Sequence, residues 1–428
     1  MSADRQRGTD DVSPIRRLDP RTVPRSLLLE RLGSRRPNLS IVLVANSQND
    51  VPRADIHSLR ADDALRCQIV TVPGSAIDLV NRACNAGLAK LILVVPPHTT
   101  LAAASVRSAI DRLDAEHDLG LIESAGSLLV IGDLWRSLGG LDEDFASLPF
   151  ALADFAMRAR AIGFRTPRLS PGDQVVAQFA EDAARLDGRR GAYPDRSARI
   201  LRSIADNLRL TGYTTITDRY DVLKYQPVSV LGDIDLVAFL DAETVEAHRD
   251  RNRGWRIVEF RSPATDPARA SRYLKANAHL ATDAEYSLWL DASVSIVFPL
   301  PLVRLVDLFL EDADMCVFRH HARRTIFEEA EACKERNLDS SEVIDAQMAR
   351  YRREGVTDDL SLAEVPVILR RHTHAIRRFN EIWWSEILTG SRRDQLSFDY
   401  SVRKAGVACA RFPSSLATYN GLFQKFQR

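Results

Sequence analysis

The chain has 428 residues, 45% hydrophobic and 27% charged, enough to build two or three units with their own cores. Basic and acidic residues cancel at 58 each, so neither nucleic acid nor an anionic membrane has an electrostatic footing as a general partner. Five cysteines, never in Cys-x-x-Cys spacing, speak against a disulfide framework or zinc ribbon and suit a reducing cytoplasm. No run of 18 uncharged apolar residues occurs, so no spanning helix is expected. Arginine outnumbers lysine by 52 to six, a bias that fits a GC-rich bacterial genome better than an arginine-specific function.

Residues 1–38 are polar, with Pro14, Pro20, Pro24 and Pro37 among many charges and no apolar signal segment; they read as a flexible arm. From Leu39 the pattern turns α/β. Strands are expected at Ser40–Ala45, Gln68–Val72 and Leu91–Val95, with helices at Ile77–Leu88 and Leu101–Leu113. Strand-like Gly120–Glu123 and Ser127–Ile131 follow, then a helix over Asp154–Ile162 stopped by Gly163. Residues 168–210 hold no strand signal and one helical stretch near Ser197–Leu208, and read as a connector. A second unit, 211–428, has strand candidates at Tyr213–Thr217, Leu236–Leu240, Arg256–Phe260, Tyr286–Leu290 and Met315–Phe318. Helices are expected between and after them at Ala268–Leu280, Leu302–Leu310, Ile326–Arg336, Phe379–Leu388 and Asp394–Ala405. Strands alternating with helices imply an α/β protein with mostly parallel sheets covered on both faces.

In the first unit, Ser40-Ile-Val-Leu-Val, Val80-Asn81-Arg82-Ala83, Trp135, Leu138-Gly-Gly-Leu-Asp142-Glu143 and Asp154-Phe-Ala-Met-Arg158 stand in order. On these residues, 39–167 resembles the family 2 glycosyltransferases, which implies a GT-A (Rossmann-like) fold. Where that family's Asp-x-Asp would hold metal and nucleotide diphosphate, this chain has Pro96-Pro97-His98. The family's acids before the Asp154 helix fall on Ala151 and Leu152. The unit is therefore expected to be catalytically silent and kept for packing, acceptor binding or assembly.

The second unit arms its strand end. The apolar run Tyr286–Leu290 empties into Asp291, which delivers a carboxylate to the carboxyl edge of a buried strand, where α/β enzymes bind substrates. With phosphate oxygens and waters, one carboxylate can hold Mg²⁺ or Mn²⁺, Ser293 being a weak second ligand; otherwise Asp291 caps the next element. Arg272, Lys275 and His279 share a helical face that would suit a diphosphate or plain solvent. Helical phase puts Glu329 beside the apolar stripe of Ile326, Ala330 and Cys333 and sends Glu328 to solvent. Arg323 would pair with Glu329 or reach substrate, next to His320. Glu386 falls among Phe379, Ile382, Trp383 and Ile387, so it is either paired with an arginine or poised for acid/base work. Ser391 and Asp394 fit a capping box, while Arg393, Asp394 and Gln395 at a helix start would equally suit a sugar and its diphosphate. His372 and His374 lack a third ligand and read as core or surface histidines.

Residues 213–420 resemble the glycosyltransferase-like domain family typified by plant mucilage-related and turgor-regulation proteins. The resemblance runs through Gly254-Trp255, Arg272 with Lys275, Tyr286–Asp291, then His320, Arg323 and Glu329, and finally Trp383-Trp384-Ser-Glu386 and Arg393-Asp394-Gln395-Leu-Ser-Phe398. It implies a second GT-A-like domain moving sugar from a nucleotide-sugar donor to a glycan or glycoconjugate acceptor. Asp291, Glu329, Glu386 and Asp394 become the candidate catalytic residues. Donor and phosphate binding falls to Arg272, Lys275, Ser293, His320, Arg323, Arg393 and Gln395, with a divalent cation, Mn or Mg, at Asp291. A bacterial surface polysaccharide is the expected product class, made in the cytoplasm, with peripheral association at the inner membrane face left open. Two alternatives stand beside this reading: a non-catalytic carbohydrate- or nucleotide-binding scaffold, and an amide hydrolase of the ceramidase type.

Overall fold

The computed structural model describes residues 38–426 except 46–52, 55–57, 60–65, 125–126, 199–207, 227–233, 249–252, 359–360 and the single positions 75, 87, 98, 117, 168, 170 and 172. The N-terminal arm up to residue 37, His98 and most of the helix expected near Ser197–Leu208 lie outside the described residues.

The first sheet is built from β1 (Leu39–Ala45), β3 (Cys67–Pro73), β4 (Leu91–Val95), β6 (Leu121–Ser124) and β7 (Ser127–Ile131) in the order β3-β1-β4-β7-β6; a short pair, β2 (Arg53–Ala54) and β5 (Thr100–Leu101), stands apart. β3, β1 and β4 are parallel, whereas β7 runs antiparallel to both of its neighbours, β4 and β6. Every residue of β1 is buried, as expected of an apolar strand with both faces covered. Helices α1 (Ile77–Ala86), α2 (Ala103–Ala115), α3 (Gly132–Ser137) and α4 (Leu148–Ala161) belong to this unit, and α5 (Asp173–Gln178) and α6 (Ala180–Arg189) occupy the connector.

The second sheet contains β8 (Leu210–Ile216), β9 (Asp235–Leu240), β10 (Arg256–Glu259), β11 (Tyr286–Leu290), β13 (Met315–Arg319), β14 (Ala363–Arg371) and β15 (Cys409–Arg411), ordered β10-β9-β8-β11-β14-β13-β15. β10, β9, β8 and β11 are parallel, and β14 runs antiparallel to both β11 and β13. β14 has no counterpart among the expected strands. A separate pair joins β12 (Val294–Ile296) to β16 (Phe423–Lys425). The helices are α7 (Ala242–His248), α8 (Pro267–Ala276), α9 (Arg304–Phe309), α10 (Ile326–Glu335), α11 (Ser341–Arg353), α12 (His374–Thr389) and α13 (Asp394–Ala405).

The two units share one apolar core, since a single cluster runs from Val42, Trp135 and Phe155 to Leu236, Leu290 and Phe318. Burying each such side chain contributes roughly 1.5–3 kcal/mol. At the junction the Gly421 amide donates to the Ser137 carbonyl at 3.1 Å. Gly163, with φ +91°, lies so close to Leu308 that a Cβ there would sit 2.6 Å from the leucine Cδ2.

Candidate active site

A cleft of about 660 Å³ opens at the carboxyl ends of β8 and β11, lined by Thr215, Thr217, Asp291, Ser293 and side chains from α8, α10, α13, β14 and the C-terminal segment. β11 lies between β8 and β14 with all five residues buried, so Asp291 is the first side chain past the sheet edge. Its amide donates to the Pro366 carbonyl at 2.7 Å, which pins the strand end to β14.

The floor comes from α8. Asp266 caps this helix by accepting from the Arg269 amide at 2.8 Å, and Pro267 starts it. Arg272 and Lys275, one turn apart, then face the same side. Lys275, only 5% exposed, holds its Nζ 3.1 Å from Asp291 Oδ1 and 2.8 Å from Asp394 Oδ2, and 5.4 Å from the centre of the Trp289 ring. The Trp289 indole donates to the same Asp291 oxygen at 2.8 Å, and Arg272 Nε donates to Asp394 Oδ1 at 3.1 Å. Burial alone would raise the Asp394 carboxyl, but Lys275, Arg272 and Arg393 override it and hold the group well below the usual carboxylate range.

Two expectations about this floor change. α8 ends at Ala276, so His279 sits in the following 3₁₀ turn, next to the Asn380 side chain at 3.3 Å and outside the cleft. The capping box does not form either. Arg393 is the N-cap residue of α13, the Ser391 hydroxyl donates to Asp339 at 2.7 Å, and the Asp394 carboxylate is drawn to the α8 cations.

On the opposite wall Thr325 caps α10 by accepting from the Glu328 amide at 3.1 Å. Glu329 is buried and accepts from Arg323 Nε, while Glu328 lies outside and accepts from the Arg324 amide at 2.6 Å, as the helical phase predicts. His320 Nδ1 accepts from the amides of Ala322 and Arg323 at 3.1 and 2.9 Å, and Arg323 approaches Nε2 at 3.0 Å. Burial and the Arg323 guanidinium push His320 down to about 4, so it is neutral at physiological pH. Arg393 and Gln395 also line the cleft; Gln395 donates to the Ala363 carbonyl at 3.0 Å.

The cleft thus gathers Asp291, Ser293, Arg272, Lys275, His320, Arg323, Glu329, Arg393, Asp394 and Gln395. It does not gather Glu386. That carboxylate is buried on α12, where it accepts from Arg350, from the Tyr351 hydroxyl at 2.6 Å and from Gln347 at 3.3 Å, all on α11. Of the two readings the sequence left open, the arginine partner is the one formed. The cleft also holds residues that sequence reasoning missed. Thr215 lies near the end of β8 and Thr217 just past it, and the strand-end rule that found Asp291 points to them too. Glu364 on β14 accepts from Lys425 Nζ at 3.0 Å through Oε1; its buried Oε2 has no hydrogen-bond partner and lies 4.0 Å from His321 Nδ1. The C-terminal segment supplies Lys425 and Phe426, which no local pattern announces.

For a divalent ion the donor set fits poorly. Asp291 Oδ1 already receives an ammonium and an indole N–H, and the Asp-Ala-Ser sequence supplies no second carboxylate. No group of three or more His, Cys, Asp or Glu side chains suited to a metal occurs among the described residues. A doubly charged ion about 4 Å from the Lys275 ammonium would meet ~8 kcal/mol of repulsion at an effective dielectric constant of about 20.

In the first unit β4 ends at Val95 before Pro96 and Pro97. Arg158, buried on α4, donates to Asp154 at 2.7 Å and to the carbonyls of Leu138 and Gly140 at 2.7 and 2.8 Å. Arg189 joins Asp154 to Asp142 at 3.1 and 2.6 Å. These motif side chains brace the Leu138–Leu141 turn.

The second unit is a Rossmann-like α/β sheet whose central strand presents an acid to a cation-floored cleft, the place where α/β enzymes of many classes bind their substrates. Residues 215–418, which fall within the second unit, match the family described as TOD1/MUCI70, glycosyltransferase-like domain. A similar protein, the probable hexosyltransferase MUCI70 of Arabidopsis thaliana, is 31% identical over 180 residues, covering 37% of this chain and 31% of that protein. The chain therefore spans about a third of the relative it matches. No helix among the described residues is long and apolar enough to cross a membrane.

Proposed function

We propose that the second unit transfers a glycosyl group from a nucleotide-sugar donor to a hydroxyl of a glycan or glycoconjugate, of the surface polysaccharide class. The observation that carries this reading is the Arg272–Lys275–Asp394–Asp291 cluster at the carboxyl edge of β11, which offers fixed cations where a nucleoside diphosphate would leave. In the transfer, the bond from the anomeric carbon to the phosphate oxygen breaks and its electron pair stays on that oxygen. The acceptor oxygen bonds the anomeric carbon, and its proton passes to water or a cleft carboxylate. Preorganised charge at a developing anion is the largest single contribution many enzymes make. Asp291, the more exposed carboxylate of the cluster, keeps Lys275 in position and faces the bound sugar.

The first unit takes a non-catalytic part, because Asp142, Asp154 and Arg158 are occupied in holding a turn. The cleft walls are charged on both sides, so the amide-hydrolase alternative, which calls for a long apolar groove, gains no support. A panel of nucleotide sugars tests the proposal by release of nucleoside diphosphate. Wild-type protein is expected to turn over at least one donor, and Asp291→Asn to lose about 100-fold or more while keeping its circular dichroism spectrum. Turnover of Asp291→Asn at the wild-type rate would refute this assignment, and glycan binding without any nucleotide-sugar binding would favour the scaffold.

A further inference from the structure

We infer that the leaving diphosphate is neutralised here by the protein's own cations, Lys275 with Arg272 and Arg393, in the place where a divalent ion would otherwise serve. The inference rests on the glycosyl-transfer reading and says which groups carry its charge stabilisation. Lys275 is not a mobile surface lysine. Its stem is buried, its ammonium lies over the Trp289 ring, and Asp291 and Asp394 hold it from two sides at 3.1 and 2.8 Å. A side chain so placed cannot withdraw to admit a metal at Asp291 Oδ1 without leaving the buried Asp394 carboxylate short of a partner.

The neighbouring charges point the same way. Arg272 is anchored to Asp394 at 3.1 Å and to the Ala268 carbonyl, and Arg393 lines the same cleft with its buried Nε making no hydrogen bond. Three cations against the two carboxylates Asp291 and Asp394 leave this corner with a net positive charge before any ligand arrives. A metal site has the opposite character, an excess of oxygen ligands and negative charge that the ion satisfies. A diphosphate, with its several anionic oxygens, is the complementary ligand, and arginine forks together with an ammonium suit it. As the sugar–phosphate bond breaks, the electron pair left on the phosphate oxygen meets these cations. No metal need be recruited from solution.

The test uses the full chain and isothermal titration calorimetry with uridine, guanosine and thymidine diphosphates, each in excess EDTA and again in excess manganese chloride. At least one diphosphate is expected to bind with dissociation constants agreeing within about threefold in the two buffers. Lys275→Met is expected to weaken that binding about tenfold or more, with Lys275→Arg recovering part of the loss. If Lys275→Met fails to fold by thermal melting, Arg393→Gln carries the test, with a loss of about fivefold or more. Binding seen with manganese and abolished by EDTA would overturn the inference while leaving the nucleotide-sugar reading intact. Binding unaffected by both Lys275→Met and Arg393→Gln would overturn it as well. Binding of no diphosphate in either buffer would overturn the reading beneath it.

Discussion

Replacing Asp394 by asparagine keeps the shape of the side chain and removes the charge that joins Arg272 to Lys275. The carboxylate is buried, 3.1 Å from one cation and 2.8 Å from the other. Breaking a buried ion pair from one side costs about 3–5 kcal/mol. The lower end applies here, about 3 kcal/mol, since Lys275 retains Asp291 at 3.1 Å and Arg272 retains the Ala268 carbonyl. The pH dependence has a fixed sign. Asp394 is held well below its unfolded value of about 3.9, so its contribution is complete above that value and disappears as pH falls through it towards the lower folded value. Urea unfolding followed by tryptophan fluorescence, at about pH 7 and at about pH 3, measures both effects. The gap between wild type and Asp394→Asn should be about 3 kcal/mol at neutral pH and narrow in acid. A gap under about 1 kcal/mol at neutral pH, or one that stays constant into acid, would refute this account of the cluster.

Glu386→Gln removes the negative charge that faces Arg350 and the Tyr351 hydroxyl and is expected to cost about 1–3 kcal/mol in urea unfolding while leaving nucleotide-sugar turnover within about twofold. A turnover loss above about tenfold would return Glu386 to the chemistry. Gly163→Ala puts a methyl group against Leu308 at a φ of +91° and should destabilise by about 1–3 kcal/mol; an unchanged melting temperature would show that the two units do not pack as described. His320 titrates near 4 in the fold against about 6.5 unfolded, so stability is complete above about 6.5 and declines as pH falls through that window. His320→Gln should flatten this decline in urea midpoints taken between about pH 7 and about pH 5, and parallel curves for the two proteins would contradict it.

What the sequence revealed and what it hid divide on a physical line. Tyr286–Leu290 and Asp394–Ala405 appear with the bounds the pattern predicts, because each is a local signal: an apolar run stopped by an acid, and a periodic helix. β14 left no such signal. Its sequence carries Pro366 in the middle, which argues against a central strand, and Glu364 and Arg370, which look like surface charges. The register explains the proline. Val317 pairs with Ile368 and the next residue, Phe318, with Glu364, so Pro366 falls in a bulge where β13 asks nothing of its nitrogen. Arg370 is fully buried and reaches the Tyr213 hydroxyl at 3.1 Å across the sheet, a partner 157 residues away. With β14 unread, Glu364 was unread too, although it places a buried carboxylate in the cleft. Glu386 shows the complementary limit. Helical phase gave its burial and therefore its need for a partner, but the partners lie on α11, a helix the pattern did not suggest. Periodicity reports how deep a charge sits, whereas only tertiary structure reports what answers it, and that answer separates a structural carboxylate such as Glu386 from one at the cleft such as Asp291.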